Sequence, residues 1–228
     1  MAPSSPARPP HRYAREPRPL FFPTSEETPE TRRHLGLRTA LFQILEAAFA
    51  DRATIGSEQF VYWDPTDPKA CCAPDVMLRL GEKDTPFDSW KVWERGAPQL
   101  AIEIISASDA DYAPWERKLE RYRHVGVREL VRFDPDDVEE PFRVWDLADG
   151  VAVERDRASP GFLECRTLGA FFCLRQDDAL GIMLRLARDA EGTELLPTPQ
   201  EARQGAEQAR LAAEARVREL EAELARRG

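Results

Sequence analysis

The stretch Gln-Leu-Ala-Ile-Glu-Ile-Ile-Ser, residues 99–106, is the most strand-like segment of the chain and decides its fold. A near-continuous apolar run of this length is typical of a strand that is buried on both faces of a sheet. It carries one carboxylate, Glu103, and a carboxylate in such a strand is unfavourable unless it is paired or binds a metal ion. The segment therefore predicts both a central strand and a candidate site.

Two further charged residues accompany this strand. Asp75 opens the short apolar run Ala-Pro-Asp-Val-Met-Leu-Arg-Leu at 73–80, and Lys118 lies in a predicted helix at 112–125. One buried acidic residue alone is more often a structural group than a metal ligand. Two carboxylates with a nearby lysine, in this order, favour a site that binds Mg²⁺ and activates water against a phosphodiester.

The same segments resemble a known family. The strings Ala-Pro-Asp-Val, Leu-Ala-Ile-Glu-Ile-Ile-Ser, Lys-Leu-Glu-Arg-Tyr and Gly-Val-Arg-Glu-Leu-Val-Arg-Phe-Asp-Pro are similar to the Uma family of restriction endonucleases, a branch of the PD-(D/E)XK nuclease superfamily. The resemblance covers about residues 28–200 and is densest over 73–135. It implies an α/β, restriction-endonuclease-like fold, in which helices flank a mixed central sheet and the metal site lies at the sheet edge.

The resemblance also implies roles for individual residues. Asp75 and Glu103 match the two acidic residues of the family, and Lys118 matches a lysine displaced to the following helix. The usual lysine position, two residues after the acid, holds Ile105 here. The implied activity is Mg²⁺-dependent hydrolysis of DNA phosphodiester bonds, with Mn²⁺ as a substitute. Because side chains alternate along a strand, the carbonyl oxygen of Ile104 is the expected third metal ligand.

Accessory candidates surround these residues, each with a structural alternative. Ser106 caps the following turn or takes part in catalysis. Tyr122, one helical turn after Lys118, contacts a phosphate or packs its ring on the sheet. Glu46, on the first predicted helix, supplies an extra metal contact or is an ordinary exposed glutamate. His34 on the same helix is a similar but weaker candidate.

Composition limits the class of protein. The 32 basic and 41 acidic residues give a net charge of −9, which argues against tight sequence-independent DNA binding but permits a local basic patch. The four cysteines have no zinc-site spacing and are expected to be free thiols in a cytoplasmic protein. No signal peptide, membrane span, glycine-rich phosphate loop or Gly-x-Ser-x-Gly elbow is recognisable. Basic residues are nevertheless concentrated in one segment: Arg117, Lys118, Arg121, Arg123 and Arg128.

Three regions are predicted along the chain: a disordered arm at 1–27, a nuclease domain at 28–199, and an Ala/Glu/Arg-rich helical tail at 200–228. Within the domain, a helix is predicted at 28–50 and helical pieces at 168–186. Strands are predicted at 58–64, 73–80, 99–106, 129–133, 142–146 and 151–155. The tail places Val217, Leu220 and Leu224 at coiled-coil spacing, so it is a possible homodimer contact.

Two other functions remain open at this stage. A non-catalytic nucleic-acid-binding or scaffold protein that retains the fold is favoured by Ile105 and by the acidic net charge. A phosphohydrolase acting on RNA or nucleotides is permitted by the same metal chemistry.

Overall fold

A six-stranded mixed sheet forms the centre of the computed structural model, which describes residues 30–81, 83, 85–106, 115–148, 150–156 and 162–227. Its strands lie in the order β1-β4-β6-β7-β8-β9. They are β1 (Ala53–Gly56), β4 (Val76–Leu80), β6 (Leu100–Ile104), β7 (Glu129–Phe133), β8 (Phe142–Ala148) and β9 (Val151–Glu154). Strands β6 and β7 are parallel, and every other neighbouring pair in this sheet is antiparallel. The predicted mixed central sheet is thereby confirmed.

Each face of the central sheet is covered by one long helix and one small sheet. Helix α1 (Arg32–Phe49) and the sheet of β10 (Phe162–Cys165), β11 (Ala170–Asp177) and β12 (Gly181–Ala187) share one apolar core with the first face. Helix α3 (Trp115–Val125) and the sheet of β3 (Cys71–Cys72), β2 (Val61–Tyr62) and β5 (Trp90–Lys91) share another core with the second face. Side chains alternate between the two faces along β6, so Ile102 packs in the first core and Ala101 in the second.

Helix α3 connects the two parallel strands of the sheet. It follows β6 in the chain and ends shortly before the amino end of β7, where Leu100 lies opposite Glu129. This is a β-α-β crossover, the connection that parallel neighbours require. The first half of α3 therefore lies near the carboxyl end of β6, and its last turn lies near the amino end of β7.

The region after residue 160 differs from the prediction, because the helical pieces expected at 168–186 are antiparallel strands β11 and β12. The turn between them explains the error. Oδ1 of Asp177 accepts hydrogen bonds from the backbone N–H groups of Ala179 and Leu180 at 2.8 and 2.9 Å. Gly181 has a φ of +76°, a conformation that favours glycine. A tight side-chain-capped turn of this kind closes a hairpin instead of continuing a helix.

The boundaries of other helices and strands also differ from the prediction. Helix α1 begins at Arg32 with Thr31 as its N-cap, and its buried stripe includes Leu37 and Ile44 but not Leu35, which is 44% exposed. The strand predicted at 58–64 is reduced to the short β2, and β1 was not predicted. The connection at 81–98 contributes β5 and the one-turn helix α2 (Val92–Arg95).

The ends of the chain were predicted to be an arm and a tail. The predicted arm at 1–27 lies outside the described residues, and its disorder stays a prediction. The tail forms α4 (Pro199–Arg227), which has no buried residue and is joined to the body through a 2.7 Å ion pair between Glu201 and Arg185. Within the described part of the chain, no helix has the length and apolar character needed to cross a membrane.

Candidate active site

Asp75 and Glu103 lie opposite each other at the ends of two adjacent strands. The last antiparallel pair of β4 and β6 is Val76 with Ile102, and the same register one step further places Asp75 across from Glu103. Directly opposed residues share a face, with Cβ atoms about 5 Å apart. Both strands are inner strands of the sheet. The pair therefore lies at the strand ends, not at the lateral sheet edge that the sequence suggested.

The carboxylate of Asp75 is held by groups from two other elements. Its Oδ2 accepts the backbone N–H of Ile104 at 2.7 Å, and its Oδ1 lies 3.3 Å from Nε2 of His34. The residue is 8% exposed. Because a charged acceptor and a backbone donor form a strong bond, the side chain fixes the end of β4 against the end of β6.

The carboxylate of Glu103 is bound from helix α3. Oε2 lies 2.8 Å from Nζ of Lys118, and Oε1 accepts a hydrogen bond from the Tyr122 hydroxyl. Burial raises the pKa of Glu103, the Lys118 ammonium acts in the opposite direction, and the nearby Asp75 carboxylate raises the pKa further. A buried glutamate beside a like charge is typical of a functional site, although structural ion pairs show the same effect.

Lys118 and Tyr122 of α3 both bond to the carboxylate of Glu103. The two residues are four apart, which places them on one helical face. Tyr122 is 2% exposed, and burial followed by the charge of Glu103 raises the pKa of its hydroxyl well above its ordinary value. The phenol is thus a neutral donor to Glu103. The thiol of Cys72 also hydrogen-bonds to Tyr122, and burial, then the charge of Glu103, raises its pKa.

The first turn of α1 forms the other wall of the site. Nε2 of His34 lies 3.0 Å from the carbonyl oxygen of Ile104, and its Nδ1 lies 2.9 Å from Oε2 of Glu30. The hydrogen bond to Asp75 raises the pKa of His34 to about 9 against the opposing effect of burial, with smaller contributions from Glu30 and Ile104. The ring is therefore protonated at neutral pH, and its two nitrogens both act as donors.

A second chain of hydrogen bonds connects α1 to the backbone of Asp75. Arg38 forms a 2.7 Å ion pair with Glu30 and donates a 2.9 Å hydrogen bond to Oγ of Ser57. Ser57 in turn donates to the carbonyl oxygen of Asp75 at 2.8 Å. The neighbouring residue, Glu58, adopts a φ of +65°, which is uncommon for a residue other than glycine. Burial raises the pKa of Glu58, and Arg38 acts against this shift.

The structure brings together most, but not all, of the residues singled out by the sequence. Asp75, Glu103, Ile104, Lys118 and Tyr122 meet at one place. Glu46 does not, because it is exposed near the end of α1, twelve residues after His34. At 1.5 Å per residue this is about 18 Å along the helix axis.

Ser106 lies two residues after β6 and is half-buried there. The sequence underestimated His34 and did not identify Glu30 or Arg38. A signal for them existed, since Glu30, His34 and Arg38 recur every four positions, a spacing that places them on one face of the helix predicted at 28–50. In the structure Glu30 precedes α1 but still pairs with His34 and Arg38.

The donor set suits a hard divalent cation. The described residues contain no cluster of three or more His, Cys, Asp or Glu side chains that could hold a metal ion. The available set is two carboxylates and the main-chain carbonyl of Ile104, all oxygen donors, as Mg²⁺ requires. Each carboxylate oxygen accepts one hydrogen bond and retains a second lone pair. The residues present therefore fit such an ion.

Comparison with known proteins identifies the family of the chain. A restriction-endonuclease-like nuclease is the class that the central sheet and the paired carboxylates indicate. The family model Uma2, described as "Putative restriction endonuclease", matches residues 24–156, more than half of the chain. The chain therefore belongs to the Uma2 family, and the resemblance seen in the sequence is confirmed.

A solved structure of low sequence identity is also similar. It is described as "a putative nuclease belonging to DUF820 from Anabaena variabilis ATCC 29413", is 15% identical, and aligns over 57% of this chain and 70% of that chain with a TM-score of 0.41. No curated protein matches the chain significantly.

Proposed function

We propose that the protein is a metal-dependent endonuclease that hydrolyses DNA phosphodiester bonds. The single observation that carries this proposal is the meeting of Asp75, Glu103 and Lys118 at the carboxyl end of β6, with Lys118 2.8 Å from Glu103. Membership of the Uma2 family supports a nucleic-acid substrate, and we take DNA as the specific one.

Asp75, Glu103 and the carbonyl oxygen of Ile104 are the groups that would hold Mg²⁺, or Mn²⁺ in its place. The ion supplies Lewis acidity toward a phosphoryl oxygen and lowers the pKa of a bound water. Asp75 and Glu103 bring two negative charges close together. Their buried surroundings strengthen the electrostatic attraction of these charges for a cation. Their hydrogen bonds from Ile104 and Tyr122 fix the direction of the carboxylate oxygens.

Lys118 is proposed to orient the attacking water and to stabilise charge on the phosphate. Its ammonium pairs with Glu103 at 2.8 Å, so we assign it an electrostatic role instead of that of a general base. Tyr122 is buried and donates to Glu103, so we assign it a positioning role and not a phosphate contact. Ser106 remains an accessory candidate, whereas the position of Glu46 gives it no part in this proposal.

The cellular setting is also a proposal. All four cysteines are free, as expected for a reducing compartment, and we propose the cytoplasm. We further propose a homodimer, because cleavage of both strands of a duplex requires two sites. The exposed Val217, Leu220 and Leu224 of α4 are the surface proposed for this contact.

The experiment that tests the proposal is plasmid cleavage by the purified full chain. Wild-type protein is incubated with Mg²⁺, Mn²⁺ or a chelator, beside Asp75→Asn, Glu103→Gln and Lys118→Met. We expect nicking only with metal, and a loss of at least about 100-fold in each variant, the scale found when one charge-stabilising group is removed from an active site. Glu46→Gln is the matched control, and it should cleave like wild type.

One observation favours a non-catalytic nucleic-acid-binding or scaffold function. The oxygens of Asp75 and Glu103 all have hydrogen-bond or ion-pair partners within the chain. Calorimetric titration with Mn²⁺ separates the two functions. Wild-type protein that binds nucleic acid but neither binds Mn²⁺ nor nicks plasmid would establish the non-catalytic function.

A further inference from the structure

Helix α3 differs in charge between its two exposed flanks. Arg117, Arg121 and His124 follow one another at i, i+4 and i+7, on the flank next to Lys118. Glu116, Glu120 and Arg123 lie on the other flank. The buried face between them consists of Tyr122 and Val125, packed with Trp115 and Leu119. The helix therefore separates a flank that carries only basic residues from a flank of mixed charge.

The basic flank faces the small sheet of β3, β2 and β5 and leads to the candidate active site. The ring of His124 stacks on Trp63, with centroids 6.3 Å apart and planes inclined by 16°. Arg121 lies close enough to Cys72 to act on the pKa of its thiol, which burial and Glu103 raise and which Arg121 lowers. Since Cys72 bonds to Tyr122, the guanidinium of Arg121 lies near the group that positions Glu103.

Arg117 and Arg121 are exposed, and within the described part of the chain neither guanidinium has an ion pair or hydrogen bond. Some exposed arginines elsewhere in the described structure are paired, for example Arg166 with Asp146 and Arg210 with Glu207, whereas Arg117 and Arg121 are not. Two unpaired arginines beside Lys118, in a chain of net charge −9, make a local positive surface for a polyanion.

We propose that the Arg117–Arg121–His124 flank of α3 binds the phosphodiester backbone of the nucleic acid and guides it to Glu103 and Lys118. The inference rests on the proposed nuclease function and names the surface that holds its substrate. From Arg117 to His124 the helix rises about 10 Å. This matches about three nucleotides of one strand at 3.4 Å each. A backbone running down this flank enters the site past Arg121 and Lys118.

The chain also offers a competing basic surface. A groove of about 670 Å³ lies beyond the last turn of α3, at the amino end of β7, and is lined by Arg123, Arg128 and Arg166 among others. Arg166 is neutralised by Asp146 at 2.6 Å. Arg123 and Arg128 are exposed and, among the described residues, have no side-chain partner. This groove lies at the opposite end of the central strands from Glu103, so the proposal excludes it as the main phosphate surface.

These two surfaces supply a matched pair of variants for the test. Arg117→Gln/Arg121→Gln and Arg123→Gln/Arg128→Gln remove the same number of charges from exposed, unpaired arginines. Binding of labelled duplex and single-stranded DNA is measured by fluorescence anisotropy with a chelator present, over a series of salt concentrations. Thermal melting of each variant verifies folding.

For Arg117→Gln/Arg121→Gln we expect affinity to fall about tenfold or more at low salt, and the slope of log affinity against log salt to shrink by about 1.8 on duplex, the value for two lost phosphate contacts. Arg123→Gln/Arg128→Gln should retain both values within about twofold. The proposal would be overturned if both variants lost DNA affinity equally, or if Arg123→Gln/Arg128→Gln lost more. It would also be overturned if the wild-type protein bound neither duplex nor single-stranded DNA. Wild-type protein that binds through this flank but never nicks plasmid would refute only the nuclease function.

Discussion

Nε2 of His34 lies 3.3 Å from Oδ1 of Asp75 and 3.0 Å from the carbonyl oxygen of Ile104. One ring nitrogen thus contacts two of the three groups proposed to hold the metal ion. The imidazolium supplies positive charge to this part of the site from within the chain. It also ties α1 to the ends of β4 and β6, so the geometry of the site depends on a helix that contributes no proposed catalytic group.

The first prediction concerns pH and His34. Its pKa is raised from 6.5 to about 9, chiefly by the hydrogen bond to Asp75. The stabilisation is complete below pH 6.5, because the ring is then protonated in both the folded and unfolded chain, and it is lost as pH rises through about 9. Melting curves with a chelator should show a large Tm gap between wild type and His34→Gln at about pH 6, and a smaller gap at about pH 9.5. An equal gap at both pH values would contradict this assignment.

The second prediction concerns the positioning role of Tyr122. Tyr122→Phe removes the hydroxyl that donates to Glu103 and leaves a buried acceptor without that bond, which should lower the free energy of unfolding by about 1–3 kcal/mol. It should also weaken Mn²⁺ binding, measured by calorimetric titration, because the carboxylate is no longer fixed. Tyr62→Phe is the matched control, since Tyr62 is also fully buried but packs against Phe60. Both variants weakening Mn²⁺ binding equally would argue against a specific role.

The third prediction separates a structural carboxylate from the site. Glu129 is 1% exposed and accepts bonds from Arg155 at 2.8 Å and from the backbone of Thr167 at 2.9 Å. Glu129→Ala leaves part of a buried ion-pair network unpaired, so we expect a loss of about 3–5 kcal/mol in unfolding free energy. Denaturant unfolding measures this loss. Mn²⁺ affinity of the folded variant should equal that of wild type, in contrast to Glu103→Gln, and a reduced affinity would show that Glu129 acts on the site.

The fourth prediction concerns the tail. A chain ending at residue 205 keeps Glu201 and its ion pair with Arg185 but lacks Val217, Leu220 and Leu224. Because α4 has no buried residue, the free energy of unfolding of the monomer should change by less than about 0.5 kcal/mol. If α4 forms the dimer contact, analytical ultracentrifugation should show a dimer for the full chain and a monomer for the shortened chain. Two identical sedimentation profiles would remove α4 from the dimer contact.

The sequence by itself determined the central strand and the strand next to it, and it singled out Asp75 and Glu103 as the acidic pair proposed for the site. These followed from local patterns, because a doubly buried strand is an apolar run and a carboxylate within it is conspicuous. The strand predicted at 129–133 is β7 without any change of boundary. Family membership was also readable from short strings around Asp75, Glu103 and Lys118.

Only the tertiary structure decided which end of α1 meets the site. Helical periodicity shows which residues share a face, but it does not say which turn lies over the end of β6. From the sequence Glu46 was the stronger candidate of the two, but packing places His34 at the site and Glu46 away from it. The hairpin of β11 and β12 was missed for a related reason, since its apolar residues suit a helix or a strand and long-range pairing made the choice. Helical spacing also separates Arg121 from Glu120, but only the packing of α3 against the sheet shows that the flank of Arg121 lies beside the residues around Glu103.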